Sequence, residues 1–210
     1  MYLSKADIAD LDKVKRLNII NSISGIKPAN LVGTQSKNGQ TNLAIISSVI
    51  HIGSKPPYLG LILRPTGEVP RHTHENIKET GVYTINHVHE SFIEQAHYTS
   101  AKFDRSESEF DHCSLNVERI KDFEAPFVRE SQLKIGMSFA EEISIPLNGT
   151  ILMIGSVEHI IIPDNTINAE GLIDLSASDS VGISGLNSYY ALSKLATLPY
   201  ARKEELPDFS

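Results

Sequence analysis

Apolar residues recur at every third position near the start of the chain: Ile8, Leu11, Val14, Leu17 and Ile20. This spacing predicts an amphipathic helix from Asp7 to Ile23, ending before Gly25. Past Lys27-Pro28 the period changes. Leu31 to Ser36 reads as a strand, Lys37-Asn38-Gly39-Gln40 as an Asn-Gly turn, and Thr41 to Ile52 as the returning strand of a hairpin. Gly53 to Pro57 predicts a second turn, and Tyr58 to Arg64 a third, almost continuously apolar strand. Pro65 to His72 reads as a loop. Thr73 then has the character of an N-cap for a short helix, His74 to Thr80, with Glu75 in its first turn and Gly81 at its end. Val82 to Val88 reads as a strand, Ser91 to Tyr98 as a helix, and Thr99 to Glu109 as a polar surface loop. Leu133, Ile135, Met137 and Phe139 alternate with Lys134, Gly136 and Ser138, so Ser131 to Ile145 predicts a strand. Asn148-Gly149 turns the chain into a further strand, Thr150 to Ile162. The tail from Ile167 is mixed, and its polar, Pro-containing end is expected to be loosely held.

Strands in succession, short inserted helices and no regular βαβ rhythm predict an antiparallel barrel or sandwich. No repeat is visible, and the 210 residues suit a single domain spanning 1–210. No GxGxxG follows a strand and no GxxxxGK[ST] occurs, which argues against Rossmann and P-loop nucleotide sites. Hydrophobic residues make up 40 % and charged ones 21 %, the balance of a globular chain long enough to bury a core without disulfides or a structural metal. Nineteen Lys+Arg against 26 Asp+Glu give a net charge of −7, and no Lys/Arg run exceeds two, which argues against nucleic acid as a partner. Cys113 is the one cysteine, so no internal disulfide forms. With no secretory leader and no run of about 18 apolar residues, no membrane contact is expected, and the expected compartment is the cytoplasm.

The candidate chemistry lies between Thr34 and Asn86. In Asn42-Leu43-Ala44-Ile45-Ile46-Ser47-Ser48, small and hydroxyl residues stand where packing alone favours larger ones, so a flat ligand can approach the main chain. The plainer reading is that Ser47 and Ser48 are strand-end hydroxyls. In Arg71-His72-Thr73-His74-Glu75-Asn76, cationic donors precede a helix N-terminus, the arrangement that attracts phosphate. The plainer reading there is an ordinary capped helix beside a solvated Arg. His72/His74 and His87/His89 are spaced by two, but neither HExxH nor zinc-site spacing accompanies them, so no metal is expected. Cys113 carries no hydrolase signature and reads as a small buried apolar residue. Tyr189-Tyr190 reads as packing or a dimer contact, or as a cover for a ligand ring.

Taken together, Thr34, Gly39, Asn42, Ala44, Ser47, Ser48, Pro56, Pro57, Thr73, Asn76, Ile77, Gly81 and Asn86 resemble the pattern of the flavin reductase-like, FMN-binding split-barrel family. The later FVRESQLKIGMSF and GTILMIGSVEHIII are also similar to that family, and the resemblance is strongest over residues 25–162. It implies a mainly β fold, an antiparallel Greek-key split β-barrel with short inserted helices. It further implies a homodimer with FMN near the interface, and NADH or NADPH as co-substrate. Hydride transfer would then belong to the cofactor, so no residue is assigned a catalytic role. Cofactor contact falls by resemblance to Asn42, Ala44, Ile46, Ser47, Ser48 and Val49 on one strand, to Arg64, and to Arg71, His72, Thr73 and Asn76. Arg64 would be a second cation for the phosphate or for the charge of reduced flavin. Val49-Ile50 stands where many members carry an aromatic or Asn-Ser-Phe, and no 2′-phosphate reader is evident, which leaves the nucleotide open. The alternatives are an FMN-carrying, flavoredoxin-like electron carrier, an enzyme resembling pyridoxamine-phosphate oxidase, and a form without turnover.

Overall fold

The computed structural model describes residues 1–67 and 71–209; part of the Pro65–His72 loop expected from the sequence, residues 68–70, lies outside them. Two helices, α1 (Lys5–Asp10) and α2 (Lys13–Ser22), precede five strands: β1 (Lys27–Pro28), β2 (Asn30–Gln35), β3 (Thr41–Ile46), β4 (Val49–Ser54) and β5 (Pro57–Leu63). Then come α3 (His72–Thr80), β6 (Val82–His87), a 3₁₀ turn at Glu90–Phe92, α4 (Ile93–Tyr98) and α5 (Glu109–His112). The chain continues through β7 (Val117–Ile120), β8 (Phe123–Val128), β9 (Lys134–Ile145), β10 (Thr150–Ile161), β11 (Val181–Ser184) and β12 (Ser188–Ala191). No helix among the described residues is long and apolar enough to cross a membrane.

The strand expected over 41–52 is two strands, and the break at Ser47-Ser48 sets the architecture. Seven antiparallel strands form one sheet in the order β3-β2-β6-β9-β10-β5-β4, so β3 and β4, consecutive in the chain, occupy opposite edges. Six strand spacings of about 4.8 Å would separate these edges by about 29 Å in a flat sheet. Three Cα steps from Ile46 to Val49 span at most about 11 Å. The sheet must therefore curl until its two edges nearly meet, without β3–β4 pairing: a split barrel. Val32, Leu61, Tyr83, Ile85, Met137 and Met153 fill its interior. A second core, built around Leu31, Leu43, Phe92 and Phe110, packs against the outside of β2 and β3. β7 and β8 pair as a hairpin, and β1, β11 and β12 form a small separate sheet. In the sequence these shorter strands carry no pattern that separates them from their surroundings.

The helix expected over 7–23 is interrupted at Leu11-Asp12. The Asp12 side chain accepts from the N–H groups of Val14 and Lys15 and so starts α2. Ser4 and Asp7 form a capping box for α1. Neither helix contributes a buried residue.

The segment 99–109, read as a surface loop, covers the exposed edge of β3. Thr99 Oγ1 accepts from Ile45 N–H at 3.1 Å, and Glu109 Oε2 accepts from Leu43 N–H at 2.8 Å. Thr99 and Glu109 are both buried. These side chains occupy donors that another strand could otherwise pair with. Burial pushes the Glu109 carboxyl pKa up, so the residue costs stability once pH rises through that folded-state value. Glu109→Gln keeps the acceptor and removes the ionisation; it should hold or raise stability at neutral pH. Glu109→Leu leaves Leu43 N–H unpaired and should cost about 1–3 kcal/mol. Urea unfolding of both variants checks this, and equal losses in the two would contradict it.

Candidate functional site

α3 meets the barrel at the open end of β3. Its first helical hydrogen bond runs from Glu75 N–H to Arg71 C=O at 3.0 Å. The N-cap is Arg71 and no side chain caps it, so among the described residues the N–H groups of His72, Thr73 and His74 have no partner. This corrects the expectation that Thr73 caps the helix. Thr73 is buried in the first turn, and its Oγ1 accepts from Asn42 Nδ2 at 3.1 Å.

The same Asn42 Nδ2 donates to Thr34 Oγ1 at 3.2 Å, and Asn76 Nδ2 donates to that oxygen at 3.1 Å. Arg105 Nη2 donates to Asn76 Oδ1 at 3.3 Å, and Arg105 also pairs with Glu75. Asn42, Thr73 and Asn76 are thus brought together, chiefly on one another. They fix the start of α3 to β2 and β3. On the other side of α3, Glu142 lies 3.0 Å from His74 Nε2 and 3.3 Å from Lys78 Nζ. The His74 hydrogen bond, ahead of the Lys78 contact, holds the Glu142 carboxyl below its ordinary pKa.

The cations stand at the rim. Arg71 Nε donates to Pro65 C=O at 3.3 Å; its terminal nitrogens have no partner among the described residues. Arg64 follows directly on β5, is exposed, and has none either. His72 lines a narrow polar recess with Ser36, Gln40 and Arg105.

At the corner between β3 and β4, the Ser48 hydroxyl donates to Ile62 C=O at 2.8 Å and accepts from Ile62 N–H at 3.1 Å. That hydroxyl therefore ties the corner to β5. Ser47 is half-exposed, and among the described residues its N–H, C=O and hydroxyl meet no partner. Ile46 and Val49 pack on the barrel core, while Ala44 lies half-exposed on the same face of β3 as Asn42. The corner therefore offers an uncommitted main-chain edge beside small side chains.

The histidines spaced by two take separate roles. His87 Nδ1 lies 3.3 Å from Ser180 Oγ, and burial pushes its pKa down to about 4. His89 faces Ser91 and Asp179. Among the described residues no three His, Cys, Asp or Glu side chains gather as a metal site would require. Cys113 is buried, and burial, with a smaller contribution from Glu109, raises its thiol pKa. Sequence reasoning missed Arg105 and Glu142 as supports of α3. Arg105 sits in the polar stretch that reads as a surface loop and Glu142 near the end of a predicted strand, and only the folded contact reveals their use.

Residues 26–177 match the flavin reductase like domain family. A split-barrel protein from Shewanella frigidimarina NCIMB 400, a candidate flavin reductase, is 51 % identical, with a TM-score of 0.92 over 96 % of this chain and 100 % of its own. Nitrilotriacetate monooxygenase component B from Bacillus cereus shares the fold at 17 % identity and a TM-score of 0.82, over 94 % of this chain and 98 % of its own. Flavoredoxin of Desulfovibrio vulgaris (Miyazaki F) does so at 21 % identity and 0.72, over 84 % and 92 %. An uncharacterized protein from Aquifex aeolicus (strain VF5) is 27 % identical over 108 residues, 51 % of this chain; the match spans about half of that relative, 55 %.

Proposed function

Because this chain belongs to the flavin reductase-like family, we propose that it binds FMN between the start of α3 and the Ser47-Ser48 corner, and that NADH or NADPH delivers hydride to that flavin. The observation that carries the reading is a pairing of two unsatisfied surfaces. One is an uncapped helix N-terminus with Arg71 beside it; the other is the open main-chain edge at Ser47. Asn42, which touches Thr73, is five residues from Ser47, about 17 Å along a strand. An extended flavin mononucleotide can place its phosphate at one end of that span and its ring edge at the other.

The residues divide by what they have left to offer. Arg71 and the free N–H groups of His72, Thr73 and His74 would hold the phosphate, with Arg64 as a second cation. The Ser47 main chain would hydrogen-bond the ring edge, with Ala44 and the backbone at Ile46 and Val49 beside it. Ser48, Asn42, Thr73 and Asn76 are positioning residues, since their side chains are largely occupied in holding the corner and the helix. His72 would stand beside the phosphate. When bound, the flavin supplies the hydride acceptor, so the chain contributes position and charge rather than an acid–base pair.

Exposed Ile50 and Ile52 on the edge strand β4 and Ile160 on β10 support a homodimer, because apolar surface of this kind is usually covered. The free Cys113 is in keeping with a reducing cytoplasm. Titration of the purified protein with FMN, read by flavin fluorescence, tests the cofactor. One FMN per chain with micromolar or tighter affinity is expected; failure to bind would sink the reading.

A further inference from the structure

α3 carries two acids of its own, Glu75 in its first turn and Glu79 in its last. Carboxylates there oppose any anion drawn to the helix start, Glu75 the more strongly because it lies one turn from Arg71. Both meet a single guanidinium from another part of the chain. Arg105 Nη1 pairs with Glu75; Nη2 lies 3.6 Å from Glu79 Oε2 and donates to Asn76 Oδ1 at 3.3 Å. Glu79 also accepts from Lys37 N–H at 3.3 Å. Arg105 lines the same narrow recess as His72 and Asn42, so its charge stands beside the first turn of α3. The segment that delivers it is pinned to β3 on both sides, through Thr99 and Glu109. Two further acids are engaged as well: Glu107 of the recess faces His112 at 3.2 Å, and Glu142 faces His74 and Lys78. The terminal nitrogens of Arg71, by contrast, have no partner among the described residues.

We propose that Arg105 is a positioning residue for phosphate selection: by pairing with Glu75 and Glu79 it keeps the start of α3 open to a phosphate dianion, so that the site takes FMN in preference to riboflavin. The inference rests on the phosphate part of the functional reading. Folding alone gives the pair little to do, because Arg105 and Glu75 are 46 % and 44 % exposed, and ion pairs in that setting add little stability. Charge at the site is another matter. Without Arg105, two carboxylates within two helical turns of the free N–H groups would face a ligand group that itself carries nearly two negative charges. That repulsion falls with salt, over a screening length of about 10 Å at 0.1 M. Riboflavin has the same ring and ribityl chain but no phosphate, so it would not feel the loss.

The test titrates FMN and riboflavin, by flavin fluorescence, into the unmodified protein, Arg105→Gln, Arg105→Lys and the triple variant Arg105→Gln/Glu75→Gln/Glu79→Gln. In Arg105→Gln the Kd for FMN should rise about tenfold at low salt and less at high salt, while that for riboflavin stays within about twofold. The triple variant should recover most of the FMN affinity, and Arg105→Lys, which keeps the charge, should stay within about threefold of the unmodified protein. Equal losses for the two flavins, or a loss that the Glu→Gln changes do not restore, would make Arg105 a structural support only and overturn the proposal. FMN binding that is the same with and without Arg105 overturns it too, and leaves the FMN site standing. An unmodified protein that binds neither flavin removes the functional reading and this inference with it.

Discussion

Arg71→Ala should weaken FMN binding by about 10–100-fold while leaving the fold intact. A charge-assisted hydrogen bond contributes about 1.5–3 kcal/mol, and each 1.4 kcal/mol is a factor of ten. Arg71 meets one carbonyl, Pro65 C=O, through Nε, so its removal breaks little else among the described residues. Arg71→Lys should recover part of the loss, because it restores charge without the planar fork that grips two phosphate oxygens. Thr73→Ala is the instructive contrast. Its hydroxyl accepts from Asn42, so the variant should lose stability more than affinity. Fluorescence titration with FMN, alongside urea unfolding, separates the two effects. Unchanged affinity in Arg71→Ala would remove the phosphate site from the start of α3.

The second large effect is structural. Gly155 lies on β10, and a Cβ there would sit 2.3 Å from Tyr83 Oη and 2.9 Å from Ser138 C=O. Tyr83 is fully buried in the barrel, so it has no room to withdraw. Gly155→Ala should therefore cost about 3 kcal/mol, the upper end of ordinary overpacking. Tyr83 Oη is also buried without a hydrogen-bond partner among the described residues. Tyr83→Phe should accordingly be neutral or stabilising, and it should rescue part of Gly155→Ala. Full rescue is not expected, because the Ser138 carbonyl remains. Gly33→Ala should behave differently: its Cβ would stand 2.2 Å from the main-chain oxygen of Pro126, which no side-chain substitution removes. Denaturant unfolding of the single and double variants measures the coupling, and a cost of Gly155→Ala as large in the Tyr83→Phe background as without it would contradict the packing argument.

What the sequence could disclose follows from how local each cause is. Period-two alternation and Asn-Gly turns are local, so β2, β9, β10 and the start of β3 are read within a few residues of where they fall. The break at Ser47-Ser48 is not local. Apolar and small residues run through it without interruption, and only closure of seven strands forces the chain to change edges there. Segment 99–109 misled for a related reason. Polar residues usually face water, but Thr99 and Glu109 are buried because an edge strand 54–66 residues away needs acceptors. The α2 stripe was legible as a helix face, although spacing cannot say whether the covering surface belongs to the same chain. At the site, the rim cations and the helix start were legible from composition. Which side chains are free to meet a ligand was not, because that depends on contacts such as Ser48 with Ile62 and Thr73 with Asn42.

Under the proposed function, a flavin held at this rim accepts hydride from a nicotinamide nucleotide. The most direct measurement is the absorption spectrum of the FMN-loaded protein under strict anaerobiosis, before and after stoichiometric NADH and, separately, NADPH. Loss of the oxidised-flavin band near-stoichiometric with at least one nucleotide, and its return on admitting air, is the expected result. A loaded protein that stays yellow with both nucleotides, yet bleaches with a reduced electron-carrier protein, would contradict the reductase reading and make the chain an electron carrier.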